Sequence, residues 1–124
     1  MANLTIYGAN TLLAGTPMPT TLWVQLHTGD PGPDGTSNLA TDGRRRSFTR
    51  TTPAAGACTN AALLEWLAAP ADESLTHISA WDADAAGACW WVGAITGGPA
   101  EAVTGQSTEI PLGDLGLSFV TWAG

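Results

Sequence analysis

The sequence predicts an all-β fold: an antiparallel β-sandwich, Ig-like or jelly-roll-like, preceded by a short N-terminal helix or arm. Three observations lead there. Only 12% of the 124 residues are charged, and Ala, Gly and Thr fill the gap, which suits short strands and turns better than a helical bundle. Several segments alternate apolar and polar side chains with period two. Gly, Pro, Asp and Asn recur every eight to fifteen residues, the spacing at which turns would join those segments. A chain of this length builds one core, so residues 1–20 read as the arm and 21–124 as the sandwich domain.

Residues 3–14 have the propensity for a short helix, with Asn3 as a possible cap and Pro17 and Pro19 beyond its end. In residues 21–27, Leu22, Val24 and Leu26 alternate with Trp23, Gln25 and His27, the pattern of a half-buried strand. Residues 29–43 are dense in Gly, Pro and Asp and read as a loop of tight turns. Within it, Asp30 before Pro31 is expected to accept hydrogen bonds that fix the strand exit. Gly29 and Gly32 are expected in backbone conformations costly for other residues, and His27 is expected to bond the loop that follows. Further strands are expected at 46–52, 75–82, 88–96, 107–112 and 115–122, with a tight connection at 83–87 and a turn at 113–114. Residues 59–69 are rich in helix formers, and Asn60 could cap a helix there. Their strand neighbours tip the reading to strand, since tertiary context overrides propensity.

The net charge of −7 comes from eleven acids against four cations, and all four are Arg lying together: Arg44, Arg45, Arg46 and Arg50. An acidic chain is a poor ligand for phosphate backbones or anionic membranes, so neither nucleic acid nor membrane is expected as a partner. The Arg cluster suits pairing with acids, of the same chain or of an identical neighbour, because the guanidinium fork grips a carboxylate in two places. Six Trp also need places. Trp90 and Trp91 are adjacent, so on a strand they face opposite sides, and Trp23 lies opposite Leu22, Val24 and Leu26. Trp23 and Trp91 are therefore the candidates, with the four Arg, for a partner-binding face, the alternative being a second buried layer.

Catalytic and metal readings are weaker. His27, His77, Asp30 or Asp82 and a Ser could be assembled into a triad, but no nucleophile-elbow motif accompanies them. Cys58, Cys89, His27 and His77 lack the close ligand pairs of a zinc site. Asp30, Asp34 and Asp42 lack the bidentate Glu of a calcium loop. No catalytic residue, metal or cofactor is expected. With no basic, apolar leader or spanning segment, the chain is expected to fold in a cytoplasm with its thiols reduced.

Residues 22–32, LWVQLHTGDPG, resemble a group of small tailed-phage virion proteins, variously tail-fibre-like, minor tail or capsid accessory proteins. The likeness continues in order. An Arg-bearing strand at 46–50 is followed by an Asn-Ala segment at 59–62 and a Thr-His-x-x-x-Trp-Asp-Ala strand at 76–83. A closing unit occupies residues 105–115. The shorter N-terminal segment and the Arg44–Arg46 run depart from the group's pattern. The resemblance implies strand at 60–67, no catalysis, and residence in the virion, assembled in the host cytoplasm. It also implies contacts with major capsid or tail proteins, and the segregation of the four Arg in an acidic chain adds the expectation of homo-oligomers. A lone domain has no fibre shaft, so compactness favours capsid decoration narrowly over a minor tail or fibre-associated place. A carbohydrate-binding sandwich with exposed Trp is the further alternative.

Overall fold

The computed structural model describes residues 2–17, 19–52, 57–95, 100–110 and 116–118. The fold is all-β with one short helix, as the alternation predicts. Strand β1 (Ala2–Leu4) leads into helix α1 (Ile6–Leu13), and β2 (Thr21–His27), β3 (Arg46–Thr49), β4 (Ala57–Thr59) and β5 (Leu64–Trp66) follow. Then come β6 (Glu73–Leu75), β7 (His77–Trp81), β8 (Cys89–Ala94), β9 (Ala100–Ala102), β10 (Thr108–Ile110) and β11 (Gly116–Ser118).

Seven strands form the main sheet in the order β3-β2-β7-β8-β1-β11-β4, and two ladders, β5–β10 and β6–β9, form the second layer. All pairings are antiparallel except β1 with β11, which run parallel. The sheet's two outer strands also meet. Beyond β3 and β4, Arg50 bridges Asn60, Thr51 N–H donates to Thr59 O at 2.8 Å, and Ala61 N–H donates to Thr49 O at 2.9 Å. This seam closes the sheet on itself and occupies edge groups that would otherwise invite another chain.

One face of the sheet builds the core. Leu22 pairs with Phe48, Val24 with Ala80, and Ala80 with Trp91, so these side chains share a face, and all are buried. Leu64 and Trp66 of β5, Leu75 of β6, Ala102 of β9 and Ile110 of β10 pack onto them from the second layer. A register shift between Ala80 and Trp81 inserts an extra residue in β8, so Trp90 and Trp91 both join the core.

The N-terminal region differs from expectation in its first residues. Residues 2–4 are a strand inside the sheet, and the helix starts at Ile6, capped by Thr5 and not by Asn3. The Thr5 side chain accepts from Gly8 N–H at 3.0 Å, the usual N-cap bond, and its hydroxyl reaches the Cys89 carbonyl of β8. A Cβ on Gly8 would sit 2.7 Å from Trp90 O, so the absent side chain lets the helix lie on β8. Tyr7 then meets Trp90 edge-on, with ring centroids 5.7 Å apart.

Residues 59–69 contain no helix: β4 ends at Thr59, and β5 starts at Leu64 after a turn. Asn60 is the cap of no helix among the described residues; it is fully buried and donates from Nδ2 to Ala62 O. The expected strand at 75–82 divides at Thr76, whose N–H donates to His27 O while its carbonyl accepts from Ile95. The turn at 113–114 and Trp122 lie outside the described residues.

Gly35 is a tight turn position. It has a φ of +76°, and a Cβ there would stand 2.6 Å from Cys89 Sγ. Gly32 shares the φ of +76°, but a Cβ on it would stand 3.4 Å from its nearest neighbour, the Ser37 hydroxyl. Gly32→Val should therefore cost about 1–3 kcal/mol through backbone strain alone, and Gly35→Val should cost more because steric overlap adds to the strain. Thermal denaturation of the two variants checks the ranking. Equal melting temperatures would contradict it.

Candidate interaction surface

The loop at 29–43 is fixed to the sheet by His27. Its Nδ1 faces Ser37 O at 2.8 Å and its Nε2 faces Ser79 Oγ at 2.7 Å. A carbonyl only accepts, so Nδ1 carries the proton and Nε2 accepts from the Ser79 hydroxyl. Ser79 Oγ in turn accepts from Trp81 Nε1 at 2.8 Å. The pair has the atoms of a nucleophile and its base. Both residues are fully buried, however, and the third group is a backbone carbonyl. Its work is structural. Asp30 Oδ1 accepts from Gly32 N–H at 2.9 Å, as expected for the strand exit, and Pro31 is buried beside it. Gly29 is a correction: it is not a left-handed position, and the Asn38 amide packs 3.2 Å from where its Cβ would be.

The three acids of the loop serve separate bonds. Asp34 accepts from the Thr36 amide and hydroxyl, which lowers its pKa, and Asp42 forks onto Arg44. Among the described residues no three His, Cys, Asp or Glu side chains gather as a metal-ligand set. Cys58 and Cys89 are both free and buried; burial pushes the Cys89 thiol up to about 11. His77 Nδ1 contacts the Thr76 hydroxyl at 2.7 Å.

The four Arg divide by partner. Arg44 grips Asp42 with Nε at 2.8 Å and Nη2 at 2.7 Å, and that bond holds the Asp42 carboxyl below its usual range. Arg44 also donates to Leu67 O, while its own carbonyl accepts from Trp66 Nε1 at 2.9 Å. Arg45 lies 4.1 Å over the Trp81 ring and donates from Nη1 to Ala83 O and Ala86 O at 2.9 and 2.7 Å. It thereby pins the connection between β7 and β8. Arg44 and Arg45 precede β3, so the three consecutive Arg do not all lie on a strand. Arg46 and Arg50 are half-buried, and each has a buried Nε without a hydrogen-bond partner.

The tryptophans correct the expectation of an outward face. Trp91 is 1% exposed and lies in the core, so it offers no surface. Trp23 is half-buried, flanked by Ser47 and Trp81 across the sheet. Trp66, Trp81 and Trp90 are buried, so none of the described tryptophans is an exposed platform for a sugar. The exposed apolar side chains of the described residues are mostly aliphatic, four of them leucines. Leu63 and Leu67 are half exposed and line a concavity of about 340 Å³ with Arg46 and Glu65. A second concavity, about 430 Å³, lies between α1, residues 33–36 and the β7–β8 connection.

Two outcomes follow from these bonds. Arg45→Ala should lower stability by roughly 1–3 kcal/mol through loss of the ring contact and two charge-assisted bonds, with Arg45→Lys intermediate; urea denaturation measures both. Burial lowers the His27 pKa. In the unfolded chain His27 takes a proton near pH 6.5, before the folded chain does, so stability should fall as pH drops below about 6.5. His27→Gln should flatten that slope between about pH 6.5 and 5.5, above the range in which Asp34, Asp42 and Asp72 add theirs. An unchanged slope would assign the titration elsewhere.

A family described as podophage GP4 fiber I protein gp80 matches residues 4–118, a span that takes in α1 and every strand from β2 to β11. No curated protein matches the chain. The match supports the likeness to phage virion proteins, and it rests on the length of the chain rather than on the LHTGDPG string alone. It favours a fibre over the capsid surface that compactness suggested. The chain belongs to the podophage GP4 fiber I protein gp80 family and is a structural protein of the phage virion.

Proposed function

We propose that the protein is a non-enzymatic subunit of the tail-fibre apparatus, a compact module bound to other virion proteins. The observation that carries this reading is the family match across residues 4–118, which covers both layers of the fold and not one shared motif. The architecture supports it. A sheet closed by its own seam has few free edge groups, so partners meet side chains rather than add strands. The surface that suits such contacts is the corner of β3 and β5, where Arg46 lies beside half-exposed Leu63 and Leu67. Of the other expected partner residues, Trp23 and Arg50 are half-buried and stand outside that concavity, as do Arg44, Arg45 and the buried Trp91.

Gold-labelled antibody against this chain, applied to purified particles, should mark the fibres under the electron microscope. Label spread over the capsid faces would overturn the fibre placement in favour of decoration.

A further inference from the structure

The corner between β3 and β5 carries two charges, Arg46 and Glu65, that stand in no ion pair among the described residues. Arg44–Asp42 is the one ion pair among the described residues, so Arg46 has no carboxylate within pairing distance. Its Nε is buried without a hydrogen-bond partner. Glu65 lines the same concavity, and across the β5–β10 ladder it stands directly opposite Glu109. Like charges in register on a ladder repel, and a cation brought to that face relieves both. Leu63 and Leu67, 50% and 52% exposed, line the same concavity as Arg46 and Glu65.

A purely acidic partner would satisfy Arg46 and press further negative charge on Glu65 and Glu109. A basic partner would do the reverse. A surface holding one charge of each sign outside any ion pair, with exposed apolar side chains beside them, is complementary to itself after a two-fold rotation. We propose that this corner is a two-fold contact between copies of the chain, in which Arg46 of each copy meets Glu65 of the other across Leu63 and Leu67. The arrangement also suits the chain's charge distribution, because all its cations lie at positions 44–50 and the other surfaces of two acidic copies repel. The inference deepens the reading of the protein as a virion subunit by naming a partner for this surface. Its test uses purified protein alone, so it fails or holds independently of where on the particle the subunit lies.

Sedimentation equilibrium of the purified full chain should show a dimer. Arg46→Glu and Glu65→Arg should each weaken dimerisation by about tenfold or more, since each sets like charges face to face twice. An equimolar mixture of the two variants should regain dimers, because every 46–65 contact in the mixed pair joins opposite signs. Circular dichroism establishes that each variant is folded. If either is not, Leu63→Ser with Leu67→Ser, at exposed positions, gives the same reading: loss of the dimer supports the contact, and an unchanged dimer overturns it. A wild-type monomer or trimer, charge variants that dimerise like wild type, or folded variants whose mixture stays monomeric would each overturn the proposal.

Discussion

A chain of contacts centred on His27 organises one face of the main sheet. From the Ser37 carbonyl it passes through the imidazole to Ser79, then to the Trp81 indole, and over that ring to Arg45 and the carbonyls of Ala83 and Ala86. It joins the 29–43 loop, β2, β7 and the β7–β8 connection, segments far apart in sequence. Every polar atom named in it has a partner, which is the condition under which a buried network adds rigidity instead of cost. Take away the imidazole, and the loop's Ser37 carbonyl loses its side-chain donor while the Ser79 hydroxyl loses its acceptor and keeps only the Trp81 indole.

The opposite face is held by simpler means. Leu22, Val24, Leu26, Ile78 and Trp91 lie against Leu64, Trp66 and Ile110, and burial of that area is the main stabilising term. The two faces are thus stabilised differently: one by apolar area, the other by a bonded line of polar groups under a turn-rich loop. Arg44 links the faces at one corner, because it holds Asp42 of the loop while its backbone accepts from Trp66 of the second layer. Arg44 and Arg45 are therefore internal architecture, and Arg46 and Arg50 are left half-buried with an unpartnered Nε each.

Much of this is legible in the sequence. Alternation locates β2, β7 and β8 because one face of each is apolar, and Gly-Pro-Asp density locates the loop. What alternation misreads is the other face. Gln25, His27 and Ser79 occupy positions that look solvent-facing, yet all three are buried, since partners distant in sequence satisfy them. The strand at Ala2–Leu4 escapes because its three residues flow into a helical pattern without punctuation, and its pairing with β8 and β11 is wholly non-local. The outward Trp91 fails for a related reason: the extra residue in β8 breaks the strict facing rule for adjacent side chains. The candidate surface was half visible, since the arginines stand out in an acidic chain. Which of them already have partners depends on the fold.

The position of β1 bears on how the protein is made. Its Ala2 pairs with Gly93 on one side and with Leu117 on the other, so β1 lies between two strands that are both synthesised long after it. Until β8 and β11 emerge from the ribosome, β1 has no lateral partner, and the sheet cannot close. Topologies dominated by such distant pairings fold on the order of milliseconds to seconds, not microseconds. In the nascent chain the apolar residues of β2 and β7 can pair early, while the rest waits for translation to reach residue 118. During that interval the unpaired strand edges are exposed to other unfinished chains.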